Sequence, residues 1–386
     1  MHMLHRLSLA LASFAMASAA WAYPEYRVTI VGPAGSTASD INSTGAVVGN
    51  YRLGDNTSRG FVNRGKGVVV LGPLGGASSS AAAINDKGEV LGNWVGADGL
   101  WRGYVYACGK QRDIGAIYGQ TFYVDINNAG YIVGIANPPG SGPYPLSVLR
   151  APNGTVRNLG SIATENPSTQ VYAINNRNQI AAESGPWGAP EQPFRAVIWT
   201  KGQFRDLGGF GWEPNGALAI NDRGQATGYA SVTTGGPHDR VAFFYSNGRL
   251  VNIDPSPATG MRYSEGKGIN NHGHIVGESS ELGGFIWRGK RMQGLSTLID
   301  PRLGWTFIDP AAINDAGQIA ASAVRNGVQY AVRLDLIRPY PSAAPAPDAD
   351  EAAEMAALAA PAAQEAAQAR AEAAAQAREV ALPVRQ

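Results

Sequence analysis

An Ile-Asn pair recurs seven times along this chain, at Ile41, Ile84, Ile126, Ile174, Ile220, Ile269 and Ile313. The stretch from Ala83 to Gly92, Ala-Ile-Asn-Asp-Lys-Gly-Glu-Val-Leu-Gly, shows the full pattern. Two turn residues and a Gly follow the pair, then a spacer and two mostly apolar residues. A period in the forties constrains the fold strongly. A unit of that size is a supersecondary element that cannot bury its apolar face alone and must stack on its neighbours.

Residues 79–115 serve as the specimen unit. A short strand of small residues runs from Ser79 to Asn85, and a second from Glu89 to Trp94. A third spans Arg102 to Ala107, and a fourth ends in Asp113-Ile114-Gly115. Four short antiparallel strands per unit make a propeller blade, and seven blades close into a ring. The expected fold is therefore an all-β, seven-bladed β-propeller. Asn opens each turn because its side chain can accept from its own backbone two residues on, and Gly closes it at positive φ. The fourth copy reads Asn175-Asn176-Arg177-Asn178, with the other residue type that tolerates the left-handed region in place of Gly.

The first strand of most units ends in a small residue (Ala83, Ala173, Ala219, Gly268, Ala312), as a crowded innermost strand requires. Asp40 and Asp125 are the exceptions. Third strands carry large groups such as Phe61, Trp199, Phe243 and Trp287, read as packing between blades. The last unit runs into Pro339 and Pro341 without a fourth strand. Tyr26 to Pro33, ahead of the first Ile-Asn, is similar to the fourth strand at Val68 to Pro73. The N-terminal strand is thus expected to complete the seventh blade and remove an open sheet edge.

Residues 1–22 read as a signal peptide, with Arg6, an apolar stretch from Leu7 to Ala20 and an Ala20-Trp21-Ala22 cleavage site. The propeller is assigned to residues 23–338 and a Pro/Ala linker to 339–349. Residues 350–386 are an Ala-rich, partly helical tail interrupted at Pro361. This architecture places the chain in the periplasm or outside the cell, with no membrane span in the mature protein.

Charged residues are 16% of the chain and the formal net charge is +1, so there is no basic footprint for nucleic acid. Cys108 is the single cysteine, which excludes an internal disulfide, and it reads as a turn residue. No nucleophile elbow, zinc helix, phosphate loop or dinucleotide fingerprint is present. His272 and His274 share one turn with no ligand set around them, so no metal or other cofactor is expected.

The signal peptide and Ile-Asn-x-x-Gly hairpins resemble the HAF-repeat family of exported bacterial proteins. Arg112-Asp113-Ile114-Gly115, Arg157-Asn158-Leu159-Gly160 and Arg205-Asp206-Leu207-Gly208 match the Asp-Leu-Gly segment of that family. The triplet that names the family lacks its His here, as in Arg59-Gly60-Phe61 and Gly283-Gly284-Phe285. The resemblance implies an extracytoplasmic propeller-like protein and brings no reaction or ligand.

Features shared by all seven units are architectural, so function is sought where the units differ. The connections opposite the Ile-Asn turns vary most. They carry Trp94, Trp101, residues 138–145, Trp187, Trp212, Glu213, His238, Asp239, Arg240, Arg262, Tyr263, Glu265 and Trp305. Exposed aromatics beside carboxylates suit a carbohydrate or protein ligand. Trp187, Trp212, Glu213, Tyr263, Glu265 and Trp305 are the candidate binding residues of a monomeric, non-enzymatic module. The alternative is an exported hydrolase or lyase using carboxylates such as Glu213 and Glu265.

Overall fold

The computed structural model describes residues 24–137, 146–188, 194–232, 239–256 and 263–338, the side chains of Glu213 and Phe307 excepted. The expected signal peptide, linker and Ala-rich tail lie outside the described residues, as do residues 138–145, Arg262 and His238.

The leading strand is β1 (Tyr26–Ala34). Blade 1 follows as β2 (Ser36–Ile41), β3 (Val47–Arg52), β4 (Ser58–Asn63) and β5 (Val68–Leu71). Blade 2 is β6 (Ser79–Ile84), β7 (Val90–Val95), β8 (Trp101–Ala107) and β9 (Lys110–Gly115). Blade 3 comprises β10 (Gln120–Ile126), β11 (Ile132–Asn137), β12 (Leu146–Arg150) and β13 (Val156–Asn158). Blade 4 holds β14 (Pro167–Ile174), β15 (Ile180–Pro186), β16 (Arg195–Thr200) and β17 (Gln203–Asp206). In blade 5 come β18 (Gly211–Ile220), β19 (Ala226–Val232), β20 (Arg240–Ser246) and β21 (Arg249–Asn252). Blade 6 is β22 (Ser264–Ile269), β23 (Ile275–Ser279), β24 (Gly283–Arg288) and β25 (Arg291–Gly294). Blade 7 adds β26 (Trp305–Ile313), β27 (Ile319–Arg325) and β28 (Val328–Leu336).

Each blade is a four-stranded antiparallel sheet, and the seventh has the order β1-β28-β27-β26. The N-terminal strand therefore closes the ring, pairing Tyr26 with Leu336 and Ile30 with Val332. Tyr26 and Val31 are buried in the process, Tyr26 among Leu298, Ile299 and Leu334.

The first strand of each blade is innermost and touches its counterparts on both sides. All seven share a bulge at the same place: Ser39, Ala82, Val124, Tyr172, Leu218, Lys267 and Ala311. A bulge adds a residue and increases twist, which suits the tapered centre of a ring. The third-strand aromatics Phe61, Phe243 and Phe285 are fully buried and Trp199 and Trp287 nearly so, packing blade on blade. Positive φ falls where the turn chemistry demands it, at 77° for Gly88 and 58° for Asn178. Cys108 sits exposed in the turn between β8 and β9 at φ 50°.

Candidate functional site

The repeated Asn does more than open its own hairpin. Its Oδ1 accepts from the backbone N–H groups two and four residues on, as in Asn175 with Arg177 (3.0 Å) and Gln179 (2.9 Å). Its Nδ2 then crosses to the next blade and donates to the carbonyl of the next repeated Asn. The chain of bonds runs Asn42, Asn85, Asn127, Asn175, Asn221, Asn270 and Asn314, and Asn314 returns to Asn42 at 3.0 Å. Seven buried amides form a closed hydrogen-bonded ring.

The second Nδ2 hydrogen explains the odd fourth hairpin. In blades 2, 4, 5 and 7 it goes to the Glu or Gln four residues on: Glu89, Gln179, Gln225 or Gln318. In blade 3 that place is Tyr131, and Asn127 donates instead to Asn178 Oδ1 of blade 4 at 2.7 Å. Asn178 thus supplies both a left-handed turn residue and the acceptor its neighbour lacks.

A more exposed ring lies outside the first. Asp86, Asn128, Asn176, Asp222, Asn271 and Asp315 each accept the backbone N–H of the preceding blade's turn. Three Asn–Asp side-chain bonds lock it in pairs, and Ser43 interrupts it at the seam between blades 7 and 1. There Arg333 takes over, bonding Gly45 O (2.7 Å) and Asp335. The two rings surround a cavity of about 190 Å³ at the channel mouth. Its polar groups are engaged with one another, which marks this end as architecture.

Asp40 and Asp125 stand on two inner strands where the other blades carry a small residue. Each carboxylate accepts from its own following Ile and from the next blade: Ile84 N at 2.9 Å for Asp40, Ile174 N at 2.8 Å for Asp125. Desolvation outweighs those donors and raises Asp40 to about 8, with the Asp125 charge adding to it, and Asp125 to about 6. The unfolded chain releases these protons near pH 4. Between there and the folded values the native state holds more protons, so stability falls as pH rises and levels off above about 8. Thermal midpoints are expected to drop from pH 5 to pH 9, and Asp40→Asn to flatten the drop. A midpoint that climbs over that range contradicts this assignment.

The opposite end of the channel is asymmetric. The residue after the small one in each second strand is Asn50, Asn93, Ile135, Glu183, Tyr229, Glu278 and Ser322 in turn. Asn50 and Asn93 clamp the backbone of Ala81 and Tyr123 on the next blade, at 2.7–3.3 Å. Blades 4 to 6 replace this clamp with ionisable side chains. Glu183 accepts from Tyr229 Oη at 2.7 Å and from the bulge residue Tyr172. Gly216 makes the room, because a Cβ there would lie 3.0 Å from the Glu183 carboxylate and 2.7 Å from the Tyr229 ring. Burial raises Glu183 above the usual carboxylate range, opposed by the two phenols and Arg240. Burial, and then the Glu183 charge, pushes both phenols upward.

Arg240 continues the network into blade 6. Its guanidinium carbon lies 4.5 Å from the Tyr229 ring centre and 4.6 Å from that of Tyr263, so it is sandwiched between two aromatic faces. Its Nη2 reaches Glu265 at 3.1 Å. Glu265 faces Glu278 across β22 and β23. Lys267, the bulge residue of blade 6, bonds Glu278 and Asp309 at 2.8 Å each. Burial opposes its charge, but these two carboxylates prevail and raise it.

Among the sequence candidates, Tyr263 and Glu265 belong to this network. Trp212 is 58% exposed and Trp187 42% exposed. Trp212 bulges from the start of β18, four residues before Gly216. Trp187 packs edge-on against Phe194, whose carbonyl accepts from Asn215 of the same strand. Both tryptophans therefore stand on the same face as the network, over blades 4 and 5. Trp305 departs from expectation: it is 8% exposed, packed in the blade 7 core against Tyr330 and Arg325, and offers no surface. The side chain of Glu213 lies outside the description. Arg240, which the sequence places on the variable face, joins Tyr263 and Glu265 in the network, whereas Glu183, Tyr229, Lys267 and Glu278 were not reached by sequence reasoning. Comparing equivalent positions after the second-strand small residue would have flagged Glu183 and Glu278. His272 and His274 stack at 5.7 Å, burial lowers His274 to about 4, and no group of three metal-ligating side chains occurs among the described residues.

Solved propellers resemble this fold. The β-propeller domain of the Trilobed protease from Pyrococcus furiosus, described as having an open velcro topology, aligns at TM-score 0.56 and 9% identity over 79% of this chain and 97% of its own. Acylaminoacyl peptidase from Pyrococcus horikoshii aligns at TM-score 0.50 and 9% identity, and this chain spans 53% of its length. YCF48 bound to D1 peptide aligns at TM-score 0.48 and 11% identity over 81% of this chain and 98% of its own. At such identities the likeness is one of fold. No protein-family model matches the chain, and no curated protein matches its sequence.

Proposed function

We propose that this chain is an exported, non-enzymatic binding module of the HAF-repeat type, acting in the periplasm or outside the cell. Its ligand, a carbohydrate or a protein segment, engages the face over blades 4 to 6. The carrying observation is the break in seven-fold equivalence, where Asn clamps give way to the Tyr172–Glu183–Tyr229–Arg240–Tyr263–Glu265 network beside two exposed tryptophans. Fixed partners support binding over turnover. Glu183 is held by two phenols, Glu265 by Arg240, and Glu278 and Asp309 share Lys267, so these carboxylates are already committed. The raised Glu183 favours the alternative, a hydrolase or lyase, because such a group is poised to donate a proton.

A glycan and peptide array probed with the purified chain, and with Trp187→Ala and Trp212→Ala, tests the reading. Both rings are exposed, so the variants keep the fold and are expected to weaken binding at least about tenfold, the loss typical of an aromatic anchor. Binding that survives both changes removes this surface. Cleavage of an array ligand, lost in Glu265→Gln, would replace the binding reading with the enzymatic one.

A further inference from the structure

We propose that β5 is a self-association edge, through which two copies of this chain pair antiparallel about a two-fold axis. The outermost strand of each of the seven blades ends its sheet at the rim, and a bare edge of this kind invites pairing unless charge guards it. Six of them carry an arginine: Arg27, Arg112, Arg157, Arg205, Arg249 and Arg291. The seventh, β5, reads Val68-Val69-Val70-Leu71. Its valines are 40%, 43% and 50% exposed. The comparison is position by position. Val69 lies opposite Val62, as Arg112 lies opposite Val105, Arg157 opposite Leu149 and Arg205 opposite Ile198.

Charge and register name a second copy as the occupant. With Val69 on the two-fold axis, Val68 meets Val70 of the other copy, and Gly67 meets Leu71. The cations Lys66 and Arg64 then fall opposite Gly72 and Leu74, so no like charges meet. An equivalent self-pairing at β9, β13 or β17 would set arginine against arginine. Strand β1, which neighbours β5 at the closing seam, carries the exposed Ile30. The result joins two blade 1 sheets into one eight-stranded sheet with isologous symmetry. Four residues per copy make a small interface, so the dimer is weak, with Kd on the order of tens of micromolar.

Sedimentation equilibrium of the purified chain, from about 5 to about 500 μM around that Kd, reads the proposal directly. Mass is expected to rise toward twice that of one chain. Val69→Arg installs the residue that three sister blades carry there, so it should melt as the parent does and stay at the mass of one chain throughout. In a Cys108→Ser background, Val69→Cys should form an inter-chain disulfide on mild oxidation, a positive signal that does not depend on the arginine variant folding. A parent that keeps the mass of one chain throughout overturns the proposal. So does a folded Val69→Arg variant that dimerises as the parent does, or a Val69→Cys chain that fails to cross-link.

Discussion

Removal of residues 23–31 is expected to abolish cooperative unfolding. Those residues supply most of β1, the outer strand of a blade whose other three strands come from the far end of the chain. Without them the buried side chains of Tyr26 and Val31 are lost, at about 1.5–3 kcal/mol each, along with the partly buried Val28. The ladder to β28 goes as well, with the bond from Thr29 Oγ1 to Asp335 at 3.0 Å. Total stability of a domain is about 5–15 kcal/mol, so this single deletion removes a sum of the same size. It also uncovers β28 as a long edge and leaves the two ends of the ring unjoined. Calorimetry or a denaturant titration of the truncated chain should show a broad, non-cooperative loss of structure. A sharp transition at the parental midpoint would mean that β1 decorates the ring without closing it.

The second large effect comes from one amide of the buried ring. Asn175→Ala removes four hydrogen bonds at once: to Asn221 O (2.8 Å), to Gln179 Oε1 (2.9 Å), and from the N–H groups of Arg177 and Gln179. Asn221 O keeps the Gly224 N–H as a donor, so the cost lies mainly in the two orphaned amides of the turn. Both amides are part-buried, so each costs about 1 kcal/mol or somewhat more, and with the two donated bonds the loss is about 2–4 kcal/mol. At roughly 2–4 °C per kcal/mol for a domain of this order of size, the melting midpoint should fall by about 10 °C. The adjacent Asn176 makes two inter-blade bonds of similar length but in an exposed position. Water can replace those, so Asn176→Ala should cost less than about 1 kcal/mol. Equal losses at the two positions would show that burial does not set the value of the ring.

The hairpins were legible in the sequence because their requirements are local. Asn and Gly in fixed places answer to one turn's hydrogen bonds and one positive φ, and Asn178 satisfies the same rule. The inter-blade half of Asn's role was not legible, since its Nδ2 acts on a carbonyl more than forty residues away. Closure by β1 could be read because Tyr26 to Pro33 repeats the pattern of a fourth strand that the last unit lacks. The face proposed to bind was only partly visible. Trp212 and Trp187 follow loop signals and are exposed, but Leu303-Gly304-Trp305 looked equally loop-like. There a short 3₁₀ turn, Pro301–Leu303, ends at Gly304 (φ 69°), and Trp305 begins the nine-residue β26 facing the core. Glu183, Tyr229 and Lys267 were hidden for the converse reason. They lie within strands, where alternation reads as core, and only the missing side chain at Gly216 and the bulge at Lys267 turn them toward a shared site.

Hydrogen exchange on the complex with the best array ligand tests the central claim most directly, because it maps contact without altering a residue. Protection on binding is expected at residues 183–187, 211–216 and 263–267, and around Arg240. No change is expected at the seven Asn turns on the other face. Protection centred on those turns, or spread evenly over all seven blades, would contradict the claim that this propeller binds where its blades cease to be alike.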